Sequence, residues 1–449
     1  VRAIVVGGGL VGSSLAGKLA GDGHDVVVVE QSRDLLTELS ERFDVQMVQG
    51  NGSTVRTLVR AGIDSCDLLF ATTNSDEVNM VVALIGSTLF RVPRVVARLR
   101  DPEHEEALRR IAAAVGGSRL AINPERAAVE RILAMLPVPG AVDVAPFFDR
   151  RLLVAGFVVP PESDFTGLLL SHFRLLFPET PVLVVAIRRE GSWIIPSGED
   201  EIRPHDLVYL ALGIGEVDNV LALMQLRRGR ERRVMVAGAT RIGVELARRL
   251  ERAGTPVTLL DARPAACEAA AATLESTLVV RGSPTDRDLL EEEGAEAVDG
   301  FVACTDDHEE NVVACLLVRK LGAAHTFALV DNAALAGLIG ELGIDSVISP
   351  RLLAVSLAMQ FARKGRVTAV AALMDDTVEV LEVEAVAASL LVRQPLASLG
   401  LPRGILVGAV KRGDRILVPG GADRIEPGDR VLFVTTSDSA SRLDPFLGG

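Results

Sequence analysis

The sequence predicts an α/β protein with two Rossmann-like, doubly wound parallel sheets, each followed by a small α+β subdomain. Three observations lead there. The chain is 49% hydrophobic but only 4% aromatic, and an apolar content carried mostly by Ala, Val and Leu suits strands buried under helices on both faces. A glycine-rich turn, "GGGLVG" at residues 7–12, stands between the apolar run Ala3 to Val6 and a helical stretch over 13–20. The sequence also repeats itself, and a repeat decides how every other motif is read. "AIVVGGGLVGSSLAGKLAGDGHDVVVVE" (3–30) aligns with "VMVAGATRIGVELARRLERAGTPVTLLD" (234–261), pairing Gly7 with Gly238, Gly12 with Gly243 and Glu30 with Asp261. Farther along, Gly50 pairs with Gly282, Thr73 with Thr305 and Asn79 with Asn311, across "ATTNSDEVN" and "ACTDDHEEN".

A different pair of segments follows each of these copies. "AIRREGSWIIPSGEDEIRPHDLVYL" (186–210) aligns with "AVKRGDRILVPGGADRIEPGDRVLF" (409–433), placing Pro196 on Pro419, Pro204 on Pro427 and Asp206 on Asp429. Short β-type runs punctuated by Gly and Pro mark these as small, strand-rich subdomains. The expected order is a first Rossmann unit over 1–136, a small subdomain over 137–226, a second Rossmann-like unit over 227–364 and a second small subdomain over 365–449. A chain of 449 residues exceeds what one hydrophobic core sustains, in keeping with several domains. The five arginines of "LRRGRERR" (226–233) are read as a solvated linker between the halves, since a net charge of −13 argues against nucleic acid as a partner.

In the first copy, the glycine spacing has the context that a lone GxGxxG lacks. Val5 and Val6 end a strand, Gly7 permits the tight turn, Gly9 lets backbone approach a pyrophosphate, and Gly12 lets the next helix lie close to the sheet. The phosphates would meet the positive end of a helix, whose first N–H groups have no intrahelical partner. The strand "VVVV" then ends at Glu30, where an acid takes the hydroxyls of an adenosine ribose and disfavours a 2'-phosphate. NAD(H), ADP or ATP therefore fit better than NADP, and no GxxxxGK[ST] motif points to a Walker-type NTPase.

The second copy departs from this pattern. Thr240 stands for the middle glycine and Arg241 for Leu10, while Asp261 keeps the acid. A Thr side chain crowds the approach of a diphosphate, although its hydroxyl and the Arg241 guanidinium could receive a smaller or differently placed phosphate. Occupancy of this second turn is left open.

Other features are expected to be bland. No run of about 18 apolar residues would span a bilayer, the N-terminal stretch lacks the marks of a signal peptide, and the chain is expected to be cytoplasmic. Cys66, Cys267, Cys304 and Cys315 form no CxxC pair and read as free buried thiols. The cluster "TDDHEE" (305–310) is not expected to bind metal, because consecutive residues entering a helix fan around its axis. No unique substrate domain or shared histidine supplies the acid or base of an NAD-dependent oxidoreductase, the main rival reading, so no catalytic residue is assigned.

The stretches "VVGGGLVG", "VVVVE", "QGNGS", "ATTNSDEVN" and "VVARLRDPEH", with the two small subdomains, resemble the TrkA family of potassium-uptake regulators, whose units are called RCK domains. The resemblance covers essentially the whole chain. It implies that Gly7, Gly8, Gly9, Leu10, Val11 and Gly12 form the diphosphate turn, that Glu30 holds the ribose, and that Asn51 borders the adenine end. Thr73 and Asn74 would close the pocket and Arg98 would face the phosphates or the far ribose. The matching positions of the second copy are Gly238, Ala239, Thr240, Arg241, Ile242, Asp261 and Thr305, but "FALVDN" has no arginine where Arg98 stands. The family likeness further implies a regulatory subunit without turnover. Such a subunit assembles as a homo-oligomer, expected to be a tetrameric ring, on the cytoplasmic face of a Trk-type membrane potassium transporter.

Overall fold

The computed structural model describes residues 1–115, 118–172, 182–226, 233–331, 343–362, 367–373, 377–436, 439 and 441–447. Most of the arginine-rich junction (227–232) and the expected boundary at 364–365 lie outside the described residues. The first sheet holds β1 (Arg2–Val6), β2 (Asp25–Glu30), β3 (Gln46–Gln49), β4 (Leu68–Ala71), β5 (Arg94–Arg98) and β6 (Ser118–Ile122). Their spatial order is β3-β2-β1-β4-β5-β6, and every pairing is parallel. The central strands β1 and β4 are apolar at nearly every position and almost wholly buried, as strands covered on both faces must be.

The connecting helices α1 (Leu10–Gly21), α2 (Arg33–Arg42), α3 (Val55–Arg60), α4 (Asp76–Leu84) and α5 (Pro102–Val115) cover the two faces. On one face Leu15, Ala16 and Leu19 of α1 meet Val5, Val28 and Phe70. On the other, Leu58, Val82, Ala83 and Leu108 meet Ile4, Val6, Leu69 and Val95. Because β2 and β4 flank β1 and the strand order reverses there, a crevice opens beyond the carboxyl ends of β1 and β4, where ligands of such sheets bind.

After α6 (Pro124–Met135) comes an antiparallel sheet of β7 (Ala141–Phe147), β8 (Leu152–Val158), β9 (Val182–Arg189), β10 (Ser192–Ile194) and β11 (Leu207–Gly213), ordered β10-β9-β11-β8-β7. The second parallel sheet then repeats the first, with β12 (Val234–Ala237), β13 (Val257–Asp261), β14 (Leu278–Arg281), β15 (Gly300–Ala303), β16 (Thr326–Leu329) and β17 (Ser346–Ile348) ordered β14-β13-β12-β15-β16-β17. Last comes β18 (Val367–Leu373), β19 (Val378–Glu384), β20 (Ile405–Arg412), β21 (Arg415–Leu417) and β22 (Arg430–Thr436), ordered β18-β19-β22-β20-β21. The architecture is therefore the expected mixed α/β one. The repeat extends to single interactions: Arg189 grips the buried Asp206 through two bonds of 2.8 and 2.7 Å, and Arg412 grips the buried Asp429 through bonds of 3.0 and 2.8 Å.

Chain order and compactness part company at the helices that follow β6 and β17. The first compact unit is Val1–Ala128 together with the segment containing the helix Pro350–Ala362, and the second takes the chain from Val129 onward apart from that segment. Ala354, Val355, Ala358 and Met359 of that helix pack on α1 and β6 in the first unit, where Arg94 donates to the carbonyl of Ala362. Reciprocally, Glu130 of α6 pairs with Arg249 in the second unit. Within this second unit the two antiparallel sheets share one core, in which Phe147, Phe148, Val154 and Tyr209 meet Val378, Val380, Leu432 and Val434. The small subdomains thus cover each other's apolar faces inside one chain. Among the described residues no helix is long and apolar enough to cross a membrane, and Cys66, Cys267, Cys304 and Cys315 are buried free thiols.

One buried histidine makes the second sheet pH-sensitive. His325 stacks on Phe327 at 4.3 Å and its Nε2 lies 3.0 Å from Ser346 Oγ. Burial pushes its pKa down from 6.5 to about 4, so the folded chain holds the ring neutral. That contribution is complete above pH 6.5 and is lost as the pH falls towards 4. Over this window the wild-type chain is expected to lose on the order of 3 kcal/mol more stability than His325→Gln. Denaturant titrations of both chains at the two ends of the window check this, and equal losses would contradict it.

Candidate functional site

The crevice at the end of β1 is built around a turn that tolerates no side chain at two of its glycines. Gly7 has φ +102°, and a Cβ there would lie 2.9 Å from Thr73 N. At Gly12 a Cβ would come within 1.9 Å of the Gly7 carbonyl oxygen, so α1 can lie this close to the turn only because Gly12 is bare. Gly9 is different. Its φ of −67° suits any residue, and a Cβ there would meet nothing within 4 Å. Gly9 is also the N-cap of α1 and supplies no side chain to cap it. The first helical N–H groups, on Leu10, Val11 and Gly12, therefore have no side-chain cap at the positive end of the helix dipole.

Opposite this helix end, Glu30 closes the floor of the crevice. Its Oε2 accepts from Gly8 N at 2.7 Å, and its Oε1 accepts from Gln31 N at 2.6 Å and Ser32 N at 3.0 Å. A carboxylate offers about four acceptor sites. One site, on Oε2, is left, and Glu30 lines the cavity. The rim after β4 is held by Asn79, which is fully buried: its Oδ1 accepts from Thr73 N and Oγ1 at 2.9 and 2.7 Å, and its Nδ2 donates to the carbonyls of Thr73 and Arg98 at 3.0 and 2.8 Å. All of its hydrogen-bonding capacity towards the rim is used, which fixes where Thr73 and Asn74 stand.

These elements enclose a cavity of about 220 Å³. Of the residues singled out from the sequence, Gly7, Gly9, Glu30, Thr73 and Asn74 line it. Gly8 serves it indirectly by donating to Glu30. Leu10 points its side chain into solvent, Val11 is buried in the core under α1, and Gly12 spaces the helix from the turn. Asn51 is turned aside, with its Oδ1 accepting from Ser53 N at 2.9 Å, and Arg98 reaches only the rim, where its Nη1 donates to Asn74 Oδ1 at 3.2 Å. The cavity wall near β3 is instead made by Gly50 and Gly52, with Gln31, Leu35, Thr72 and Val78 completing it. Gly52 is restricted to its type by the fold: a Cβ there would come within 2.1 Å of a Val6 methyl, so the glycine marks a close approach. Gln31, Leu35 and Val78 carry no such mark.

The second copy reproduces the scaffold and alters the contents. Gly238 has φ +116°, a Cβ on Gly243 would lie 2.0 Å from the Gly238 carbonyl, and buried Asn311 holds Thr305 and the Leu329 carbonyl just as Asn79 holds its own rim. Thr240, however, caps its own helix (Arg241–Arg252): its Oγ1 accepts from Gly243 N at 3.3 Å and donates to the Cys304 carbonyl at 2.9 Å. The hydroxyl that could have received a phosphate is thus committed within the turn. Asp261 accepts from Ala239 N at 2.7 Å, as Glu30 does from Gly8, but it is also gripped by Arg263. Burial raises the Asp261 carboxyl, and donation from the Arg263 guanidinium, from Arg263 N and from Ala239 N outweighs it and holds the group below its usual value. Arg241 and Ile242 begin the helix, the first exposed and the second half-buried. Burial pushes the Cys304 thiol up to about 12, which leaves it protonated.

The TrkA-N domain matches residues 3–117 and 234–350, and the TrkA-C domain matches 154–225 and 380–448. The chain belongs to the TrkA family. The Trk system potassium uptake protein TrkA of Azorhizobium caulinodans is 32% identical over 99% of this chain and 98% of its own length. That of Vibrio alginolyticus is 31% identical over 96% of this chain and 95% of its own. Among solved structures, the GsuK channel bound to NAD covers 99% of this chain, and 78% of that chain is matched, at a TM-score of 0.62 and 20% identity; the likeness is one of fold. The first TrkA-N match covers β1 to β5 and the second covers β12 to β17, so both take in the turn, acid and rim described above.

Gly9 and Gly12 make a paired test of which glycines the fold itself requires. Gly12→Ala is expected to cost about 2 kcal/mol or more, because backbone stands where the methyl would go. Gly9→Ala should change stability by no more than roughly 0.5 kcal/mol, because a less flexible unfolded chain offsets a poorer N-cap. Thermal melts of the two variants check this; a Gly9→Ala chain as unstable as Gly12→Ala would show that Gly9 has a structural role after all.

Proposed function

We propose that this chain is the nucleotide-sensing regulatory subunit of a Trk-type potassium uptake system and that its first Rossmann unit takes NAD(H), ADP or ATP. The observation that carries the proposal is the bare, uncapped start of α1 at Gly9, facing the one unfilled acceptor site of Glu30 across the cavity. An anion fits the first, and a ribose hydroxyl fits the second. A volume of about 220 Å³ is below the ~300 Å³ at which pockets for drug-sized ligands begin. It suits part of a dinucleotide, namely the adenosine diphosphate portion that NAD(H), ADP and ATP share. The NAD-bound form of GsuK, which has the same fold, supports the choice of ligand. Carried over from the family, Leu10 and Val11 would offer backbone N–H groups to the diphosphate, Asn51 would border the adenine, and Arg98 would approach through its contact with Asn74.

Such a site gives occupancy and not turnover. Catalysis needs groups that act on a transition state, and the polar groups that line this cavity position its walls. Ligand would act by shifting a population: a tenfold preference for one shape of the assembly is worth about 1.4 kcal/mol per site. The assembly is proposed as a homotetrameric ring on the cytoplasmic face of the membrane, docked on the potassium-conducting subunit, since closed symmetric assembly is the usual outcome for identical chains. Because the small subdomains already cover each other, the ring contacts must use other faces.

Two measurements test the proposal. Calorimetry should show NADH and ADP binding more tightly than NADPH. Glu30→Gln should weaken ADP roughly tenfold, the worth of one hydrogen bond to a charged group, while narrowing the gap between NADH and NADPH. A wild-type preference for NADPH would refute the assignment of the acid. Co-reconstitution with the membrane partner in liposomes should give potassium flux that changes with added ATP, ADP, NAD or NADH; flux indifferent to all four, or sustained NADH oxidation by the pure chain, would overturn the sensor function.

A further inference from the structure

The two copies of the Rossmann unit handle their helix starts in opposite ways. In the first copy the helix at the glycine turn is uncapped, and Ser32, two residues after the acid, caps the next helix by accepting from Leu35 N at 3.4 Å. In the second copy Thr240 caps the helix at the turn. Arg263, at the position of Ser32, is the N-cap residue of the helix Pro264–Ala271 and makes no side-chain cap there. Its side chain turns back to the acid instead. Nη2 donates to Asp261 Oδ2 at 2.8 Å, Nε donates to Asp261 Oδ1 at 3.0 Å, and Nη1 reaches Asp306 Oδ2 at 3.0 Å, on the rim beside Thr305.

Counting acceptor sites shows what this does. Asp261 Oδ1 takes Arg263 N and Nε, and Oδ2 takes Ala239 N and Arg263 Nη2, so all of the roughly four sites of the carboxylate are filled. Glu30 has three donors and one site to spare. Asp261 is also buried while Arg263 is half exposed, so the guanidinium lies over the acid from the solvent side. A planar guanidinium bound through two parallel bonds is the pairing best suited to hold such a carboxylate.

We propose that Arg263 and Thr240 are the resident occupants of the second site, standing where the ribose and the phosphate would sit, and that they close it to adenine nucleotides. Each chain then carries one nucleotide, in the first copy. The acid that looks like a ribose ligand in the sequence is a structural anchor, tying the turn after β12 to the rim after β15 through Arg263. This rests on the proposal that the first copy binds nucleotide, and it adds the residue that sets the specificity of the second.

Exchanging the residues between the copies tests it, with ADP as the probe and equilibrium dialysis on the full chain as the readout. Wild type should bind one ADP per chain. The double variant Thr240→Gly with Arg263→Ser, which installs the first copy's residues, should bind two, and its first site reports that the chain has folded. The reverse exchange, Gly9→Thr with Ser32→Arg, should bind none. Two ADP per wild-type chain, or one in the opened variant, would overturn the closure while leaving the first site intact. No binding by wild type with one ADP in the opened variant would sustain the closure and overturn the proposed function of the first copy. No binding by either chain would overturn both.

Discussion

The rest of the molecule depends on how closely α1 passes the carbonyl of Gly7. That approach is allowed only by the missing side chain at Gly12, and it has effects in two directions. Towards the sheet, it brings Leu15, Ala16 and Leu19 down onto β1 and β4 and closes one face of the core. Towards solvent, it aims the helix end at the crevice between those strands. The same contact recurs at Gly243 and Gly238, and the second unit is folded as tightly as the first around a turn with different contents. Packing at the turn is thus separable from the proposed ligand chemistry: Gly12 serves the first, and the proposal for the second rests on Gly9.

The buried amides Asn79 and Asn311 extend that separation. Each is fully buried and ties the loop after the fourth strand to the end of the fifth, whatever happens at the turn. A rim fixed in this way does not need a ligand to hold it open. Thr73 and Asn74 are held in place by the fold itself, which would lower the ordering cost of the proposed occupancy.

Much of this was legible in the sequence because it depends on residues whose types are restrictive. The repeat, the glycine turn, the acid at the strand end and the strand–helix alternation follow from backbone sterics and from the burial of both sheet faces, and the structure has them where the spacing put them. Leu35, Gln31 and Val78 were not legible as cavity walls, because an aliphatic or amide side chain beside a crevice is of the same type as one beside any other surface. Arg263 was not legible for a related reason: an arginine opening a surface helix reads as solvated until its partner is known. The packing of the helix Pro350–Ala362 in the first unit was invisible too, since an apolar stripe reveals that a face is buried but not what it is buried against.

That exchanged helix bears on how the chain comes to be folded. One face of the first sheet is closed by residues that lie more than two hundred positions farther along. During synthesis the first unit therefore emerges with the surface of α1 and β6 that this helix packs on still bare, and it stays incomplete until the helix ending at Ala362 has left the ribosome. Contacts of such long sequence separation are slow to form, because chain entropy is spent before they repay it. While they are missing, the bare face of α1 is a hydrophobic surface open to misassembly. Joining two similar units in one chain supplies the remedy: the helix that must cover this face is delivered by the same molecule, at high effective concentration, without waiting for a second copy.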